Sequence, residues 1–211
     1  MVTTADVLYS LTPSFKQYLK RLDPTPQKQN SKHERQMVLA DGTRGMIRPI
    51  VPSDRIALSA ALEELGPESR LRRFFFDKSK LSESELDRLT SPDGINHIAY
   101  GMAVSLDDGT EHMPIAVARC FRDKDQEDLA EVAVVIADPW QGMGAGFELL
   151  SALSSAAREV GIRRWFASMF TYNTAMQRLL DHFGTMSETR DLDGGVIEVI
   201  YDITKPPARN K

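Results

Sequence analysis

The chain holds 211 residues with 26 Lys+Arg against 30 Asp+Glu, a formal net charge of −4. Its 42 % apolar content and small net charge exclude a wholly disordered chain, and its length suits one large domain, or a domain with an appended segment, that buries a real core. No apolar run approaches the roughly 18–20 residues of a membrane helix, the N-terminus lacks a basic segment leading into an apolar one, and a pI near 5.6 argues against non-specific nucleic-acid binding.

Residues 5–22 carry Val7, Leu8, Leu11, Phe15, Tyr18, Leu19 and Leu22 at helical spacing, interrupted by Pro13. Residues 23–36 are polar and nearly free of hydrophobes, the texture of a linker. We therefore expect an N-terminal helical or disordered extension and linker over 1–36, a folded domain over 37–204, and a disordered tail over 205–211. Residues 38–50 contain the Asp41-Gly42 turn signal followed by a short strand ending before Pro52. Ser53 suits the N-cap of a helix running to about Leu65, closed by Gly66-Pro67. Residues 70–76, RLRRFFF, form a dense basic-aromatic piece, and Ser82 with Glu85 has capping-box spacing for a helix to about Leu89.

Two apolar runs, 97–104 and 113–121, flank Asp107-Asp108-Gly109 and read as a hairpin; 129–137 is the most apolar strand candidate. Gly146, Leu149, Leu150, Leu153, Ala156, Ala157 and Val160 then mark one helix stripe, ended by Gly161. A strand over 163–170, a helix over 173–183 and a strand over 196–203 complete the chain, with room for one further strand. The order departs from strict βαβ alternation, so the fold class expected is α+β: a central mixed, mostly antiparallel sheet with helices on both faces.

The strand over 129–137 runs into Gln141-Gly142-Met143-Gly144-Ala145-Gly146, which opens a helix. Glycines at alternating positions allow a tight turn and close approach of a ligand to the backbone, and a helix N-terminus offers unpaired N–H groups to a phosphate. A Walker loop would need Lys-Ser/Thr after its last glycine, where this chain has Phe147-Glu148, so nucleotide triphosphate hydrolysis is not indicated. The dinucleotide fingerprint has a different glycine spacing and follows the first strand of its unit. Taken alone, the three glycines are equally a helix cap with no ligand.

The whole pattern resembles the acyl-CoA signature Gln/Arg-x-x-Gly-x-Gly/Ala of the GNAT superfamily of acyl-CoA-dependent N-acyltransferases. Residues 44–54 resemble that family's first strand entering its first helix, 69–75 the segment between its two N-terminal helices, and 173–184 its later Asn-to-Gly helix; those segments look like bacterial protein lysine acetyltransferases. The resemblance spans roughly 38–203. It implies that the strand bearing Val134, Val135 and Ile136 splays from the next one. Main-chain groups freed by the splay would hold the pantetheine and thioester of acetyl-CoA, while Gln141, Gly142, Met143, Gly144, Ala145 and Gly146 would hold the pyrophosphate. Asn173 would touch the cofactor, although Asn is also a good N-cap and both roles are compatible.

An amine acceptor must lose a proton. A lysine with a pKa near 10.4 is neutral in only about one molecule in two to three thousand at pH 7, and a positioned base is worth about 10²–10⁴. Glu131, a charge inside an apolar strand, is the candidate catalytic base, with burial expected to raise its pKa. The resemblance implies an acid at this place, five residues before Ile136, on a strand with a bulge; without a bulge an odd separation puts the two side chains on opposite faces. The competing reading has Glu131 facing solvent or pairing with an arginine such as Arg119. Many relatives place a Tyr seven residues after the Asn as general acid, and here that position is Leu180.

Other residues read more plainly. His33, His97, His112 and His182 lack metal-ligand spacing, so no metal is expected. Cys120, the single cysteine, lies on an apolar strand, is expected to be buried and inert, and agrees with a reducing, cytoplasmic setting. Trp140 packs as core or against the cofactor, and the arginines of 70–73 serve as a solvated face or meet an anionic ligand. The expected activity is transfer of an acetyl group from acetyl-CoA to a primary amine, first a protein lysine. Alternatives are a small-molecule amine acceptor, or a silent acyl-CoA-binding module acting through the N-terminal helix. No nucleic-acid or membrane partner is expected.

Overall fold

The computed structural model of the chain describes residues 34–76, 78–105 and 112–208. The expected N-terminal helix and the 107–109 turn lie outside them. Among the described residues, eight strands form one sheet: β1 (Arg35–Val38), β2 (Arg44–Pro49), β3 (His97–Ser105), β4 (His112–Arg122), β5 (Leu129–Ile136), β6 (Arg164–Phe170), β7 (Thr185–Asp191) and β8 (Val196–Asp202). Their spatial order is β1-β2-β3-β4-β5-β6-β8-β7. All neighbours are antiparallel except β5 and β6, which are parallel. Five α-helices accompany the sheet: α1 (Arg55–Glu63), α2 (Pro67–Phe74), α3 (Glu83–Thr90), α4 (Ala145–Glu159) and α5 (Thr174–Asp181).

Partners across a ladder share a face. Ile98, Cys120 and Val132 make one row and Tyr100, Ala118 and Val134 the next. These pack in a common core with Leu149, Leu150, Leu153 and Ala157 from the stripe of α4. His97, Phe121 and Glu131 share the opposite face with Arg119, whose guanidinium donates to the Leu89 carbonyl of α3 at 2.9 Å. Helices therefore cover both faces, as the sequence implies.

Several local details differ from expectation. The 36/37 boundary falls inside β1, because Arg35 and Gln36 pair with Ile47 and Met46 of β2 rather than belonging to a linker. Ser53 does not cap α1. Asp54 occupies the N-cap position without a side-chain bond to the helix, and its carboxylate instead accepts from the Val51 N–H at 2.9 Å and from the Arg48 guanidinium at 2.6 and 2.7 Å. The 70–76 segment includes most of α2, a helix that the sequence did not reveal. The α3 capping box is present: Glu85 N–H donates to Ser82 Oγ at 3.3 Å and Ser82 N–H to Glu85 Oε2 at 2.9 Å. No helix among the described residues is long and apolar enough to cross a membrane.

Candidate functional site

The parallel pairing of β5 with β6 covers three positions and stops at Glu131 opposite Phe166. Beyond it, residues 132–136 of β5 remain laddered to β4 and residues 167–170 of β6 to β8, with no ladder between β5 and β6. The gap is a cleft of about 420 Å³. Val134, Val135, Ile136, Gln141, Gly142, Gly144, Gly146, Asn173 and Glu131 all line it. The strand and the glycine loop thus meet at one opening.

The loop's geometry explains its glycines. Gly142 and Gly144 have φ of 76° and 90°, a region L side chains avoid. Gly146 lies inside α4, where a Cβ would stand 2.9 Å from Leu179 Cδ2 and 3.1 Å from Ile136 Cδ1. Ala145 is buried, and Met143 packs against the core while its carbonyl accepts from the Ala40 N–H at 3.2 Å; neither side chain reaches the cleft. Asn173 caps α5, its Oδ1 accepting from the Met176 N–H at 3.3 Å, and still lines the cleft.

Gln141 ties the loop to a helix. Its Nε2 lies 3.1 Å from the Ile136 carbonyl and from Asp138 Oδ1, and 3.2 Å from Ser69 Oγ. Asp138 also accepts from Ser69 Oγ at 2.5 Å and from the Gly66 N–H at 3.1 Å. An acidic side chain from the loop thereby caps α2, whose N-terminus has no cap of its own. A Cβ on Gly66 would fall 2.5 Å from Asp138 Oδ2.

Two expectations about Glu131 are corrected. It is exposed rather than buried, because the cleft opens just beyond it. The β4–β5 register runs from Ala116 and Ile136 to Arg122 and Ala130 with no shift. Glu131 and Ile136 therefore lie on opposite faces, and the sheet's central irregularity falls in β4 at Ile115 instead. Its charged surroundings are arginines. Burial lowers the pKa of Arg73, the Glu131 carboxylate raises it and Arg88 lowers it. Burial, with Arg73 and Arg88 nearby, brings Arg119 down to about 9. Arg119 does not ion-pair with Glu131; it turns to Leu89 and His97.

Sequence reasoning missed much of the opposite wall. Ser69, Arg72, Arg73 and Phe75 from α2 and its end, with Arg178 and His182 of α5 and its end, line the cleft. The basic-aromatic run was the available signal for the first group. Leu180 is buried in the core, so that position offers no proton donor. Trp140 is core, and Cys120 is buried with its thiol pushed up to about 12. No cluster of three metal-ligating side chains occurs among the described residues.

The family model described as "Acetyltransferase (GNAT) domain" matches residues 44–186, more than half the chain. The chain belongs to the GNAT acetyltransferase family. Acetyltransferase Pat of Mycolicibacterium smegmatis is 32 % identical to it over 161 residues, 76 % of this chain but 46 % of that protein. Acetyltransferase PA5475 of Pseudomonas aeruginosa is 31 % identical over 155 residues, 74 % of this chain and 81 % of that protein. The crystal structure of the GNAT domain of S. lividans PAT superposes with a TM-score of 0.70 at 29 % identity, covering 83 % of this chain and 99 % of that one. This GNAT acetyltransferase is thus an acyltransferase, and it spans about half the length of the mycobacterial Pat it matches.

Proposed function

We propose that the protein transfers an acetyl group from acetyl-CoA to a lysine side chain of a protein. The observation that carries this reading is the parting of β5 from β6 after Glu131 and Phe166, with the glycine loop at the far end of the gap. The N–H groups at the start of α4 suit the pyrophosphate. Five residues of β5 separate Ile136 from Glu131, about 16 Å at roughly 3.3 Å per residue, so a pantetheine arm extended along the strand delivers its thioester close to Glu131. Backbone donors on the unladdered edge of β5 would polarise the thioester carbonyl as the tetrahedral intermediate forms.

In this mechanism the lysine enters from the α1–α3 face, which Glu131 shares, and attacks directly within a ternary complex. Glu131 takes the ammonium proton, and the nitrogen displaces the CoA thiolate. With Leu180 buried, the thiolate leaves without the usual tyrosine; its basicity is modest, near 8.5 on the cysteine model. Gln141, Gly142, Gly144, Gly146 and Asn173 are assigned to acetyl-CoA, as are the main chains of Val134, Val135, Ile136, Met143 and Ala145. The likeness of residues 44–54, 69–75 and 173–184 to bacterial protein lysine acetyltransferases favours a protein acceptor.

The test is CoA release and acetyl-lysine formation with purified candidate proteins. Activity on lysines that falls in Glu131→Gln supports the reading. Transfer to small amines alone would refute the acceptor, and undiminished activity in Glu131→Gln would remove Glu131 as base.

A further inference from the structure

The helix-side rim of the cleft carries features that deprotonation by Glu131 does not use. Phe75, at the end of α2, has φ 63° and ψ 5°, a left-handed conformation that a bulky L-residue seldom takes without a compensating role. Its ring remains 39 % exposed and tilts against Phe170 of β6 with centroids 5.4 Å apart. Phe170 stacks on Tyr172 at 5.1 Å with 12° between planes, and Tyr172 is itself 52 % exposed. The three rings join the end of α2 to the end of β6, with Phe75 lining the cleft and Tyr172 exposed beyond it.

Beside these rings stands Arg72, its guanidinium carbon 6.0 Å from the Tyr172 centroid. One terminal nitrogen pairs with Glu68, one turn earlier on α2. Its Nε is shut off from water and makes no hydrogen bond. Because Nε is closed to solvent, an incoming group meets only the terminal nitrogens of the guanidinium. The Glu68 side chain is 68 % exposed, which makes its i,i+4 pair weak and open to exchange. The terminal nitrogens of the guanidinium, one of them exchangeable from Glu68, remain free to donate charge-assisted hydrogen bonds to an incoming carboxylate.

We infer that Arg72 receives the carboxylate of an acidic residue adjoining the target lysine in a polypeptide acceptor, whose neighbouring chain lies on the Phe75 and Tyr172 rings. This rests on the protein-lysine reading above and names the kind of sequence it selects. Charge balance points the same way. Arg72, Arg73 and Arg178 line the cleft against one carboxylate, Glu131, among the described lining residues. A lysine arriving alone meets two arginines of α2, whereas a lysine beside an acid brings the complementary charge with it.

The test compares two peptides with the full chain, acetyl-CoA and a CoA-release assay. They share a central lysine, flanked on both sides by Glu in one and Gln in the other. The Glu peptide is expected to show at least a tenfold higher kcat/KM. In Arg72→Met the ratio between the peptides collapses towards one, and in Arg72→Lys part of it returns. Phe75→Gly, which suits the left-handed backbone while deleting the ring, raises KM for both peptides. Equal turnover of the two peptides by the wild-type chain, or a ratio that survives Arg72→Met, overturns this inference and leaves lysine acetylation standing. Failure to acetylate either peptide while small amines react overturns both readings together.

Discussion

As the proposed base, Glu131 would work from a setting made by charge rather than by burial. It lies opposite Phe121 on the ladder, and Arg88 sits 5.0 Å over the Phe121 ring. Arg73, Arg88 and Arg119 act on one another on this side of the sheet. An incoming ammonium meets these positive charges, and like charge favours its neutral, nucleophilic form. Glu131→Gln, which keeps shape and loses basicity, is expected to lower kcat/KM for acetyl transfer about 10²–10⁴-fold with the melting temperature unchanged. A loss below tenfold would assign the proton to water or another group. Asp138 offers a second residue-scale experiment. Asp138→Ala removes the cap shared by the Gly66 N–H and Ser69 Oγ, and should cost about 1 kcal/mol in urea unfolding. If α2 forms the acceptor-side wall, as proposed, KM for the acceptor should rise more than KM for acetyl-CoA.

At the level of elements, the parts of the chain that a sequence reveals are those whose burial is one-sided and periodic. β6, with alternate positions buried, and α4, with its apolar stripe, obey this, while β3 and β5 are legible as apolar runs; all four supply the core. β7 does not: Thr185–Asp191 is exposed at every position, an edge strand held by its ladder to β8, so no hydrophobic alternation marks it. α2 buries no residue, and its sequence of charges and aromatics serves the cleft rim instead of the core. The site divides the same way. The glycine loop was legible because backbone conformation demands glycine, whereas Ser69, Arg72 and Phe75 reach the cleft through tertiary packing that no spacing encodes. Gly184, between α5 and β7, shows how strict such packing becomes. A Cβ there would stand 1.8 Å from the Asp202 carbonyl oxygen, a backbone atom unable to step aside. Gly184→Ala should cost about 3 kcal/mol or more by denaturant titration, through displacement of β8. A near-neutral result would mean that β8 is not held against this turn.

For the whole molecule, the helices on one face are fastened to the sheet through a buried polar knot whose protonation can be read from outside. His97 is 8 % exposed and stacks on Phe121 at 4.1 Å, and its Nε2 lies 3.4 Å from the Arg119 guanidinium that holds Leu89 of α3. Burial above all, with Arg119 and Arg88 adding to it and Asp93 opposing, lowers its pKa from 6.5 to about 4. Between those values the unfolded chain binds a proton that the folded chain refuses. Stability from this group is complete above pH 6.5, drains away as pH falls towards 4, and levels off below. The loss should be on the order of 3 kcal/mol. The carboxylates held low, Glu85 at about 2 by Lys78 and the Ser82 cap and Asp93 by backbone N–H groups despite its burial, give up their contributions only under the usual carboxylate range. The two windows are therefore separable in urea titrations run from pH 7 to pH 3. His97→Gln should flatten the upper window whatever it does to stability at neutral pH. An unaltered slope between pH 6.5 and 4 in that variant would show that the knot does not govern how α3 is held to the sheet in acid.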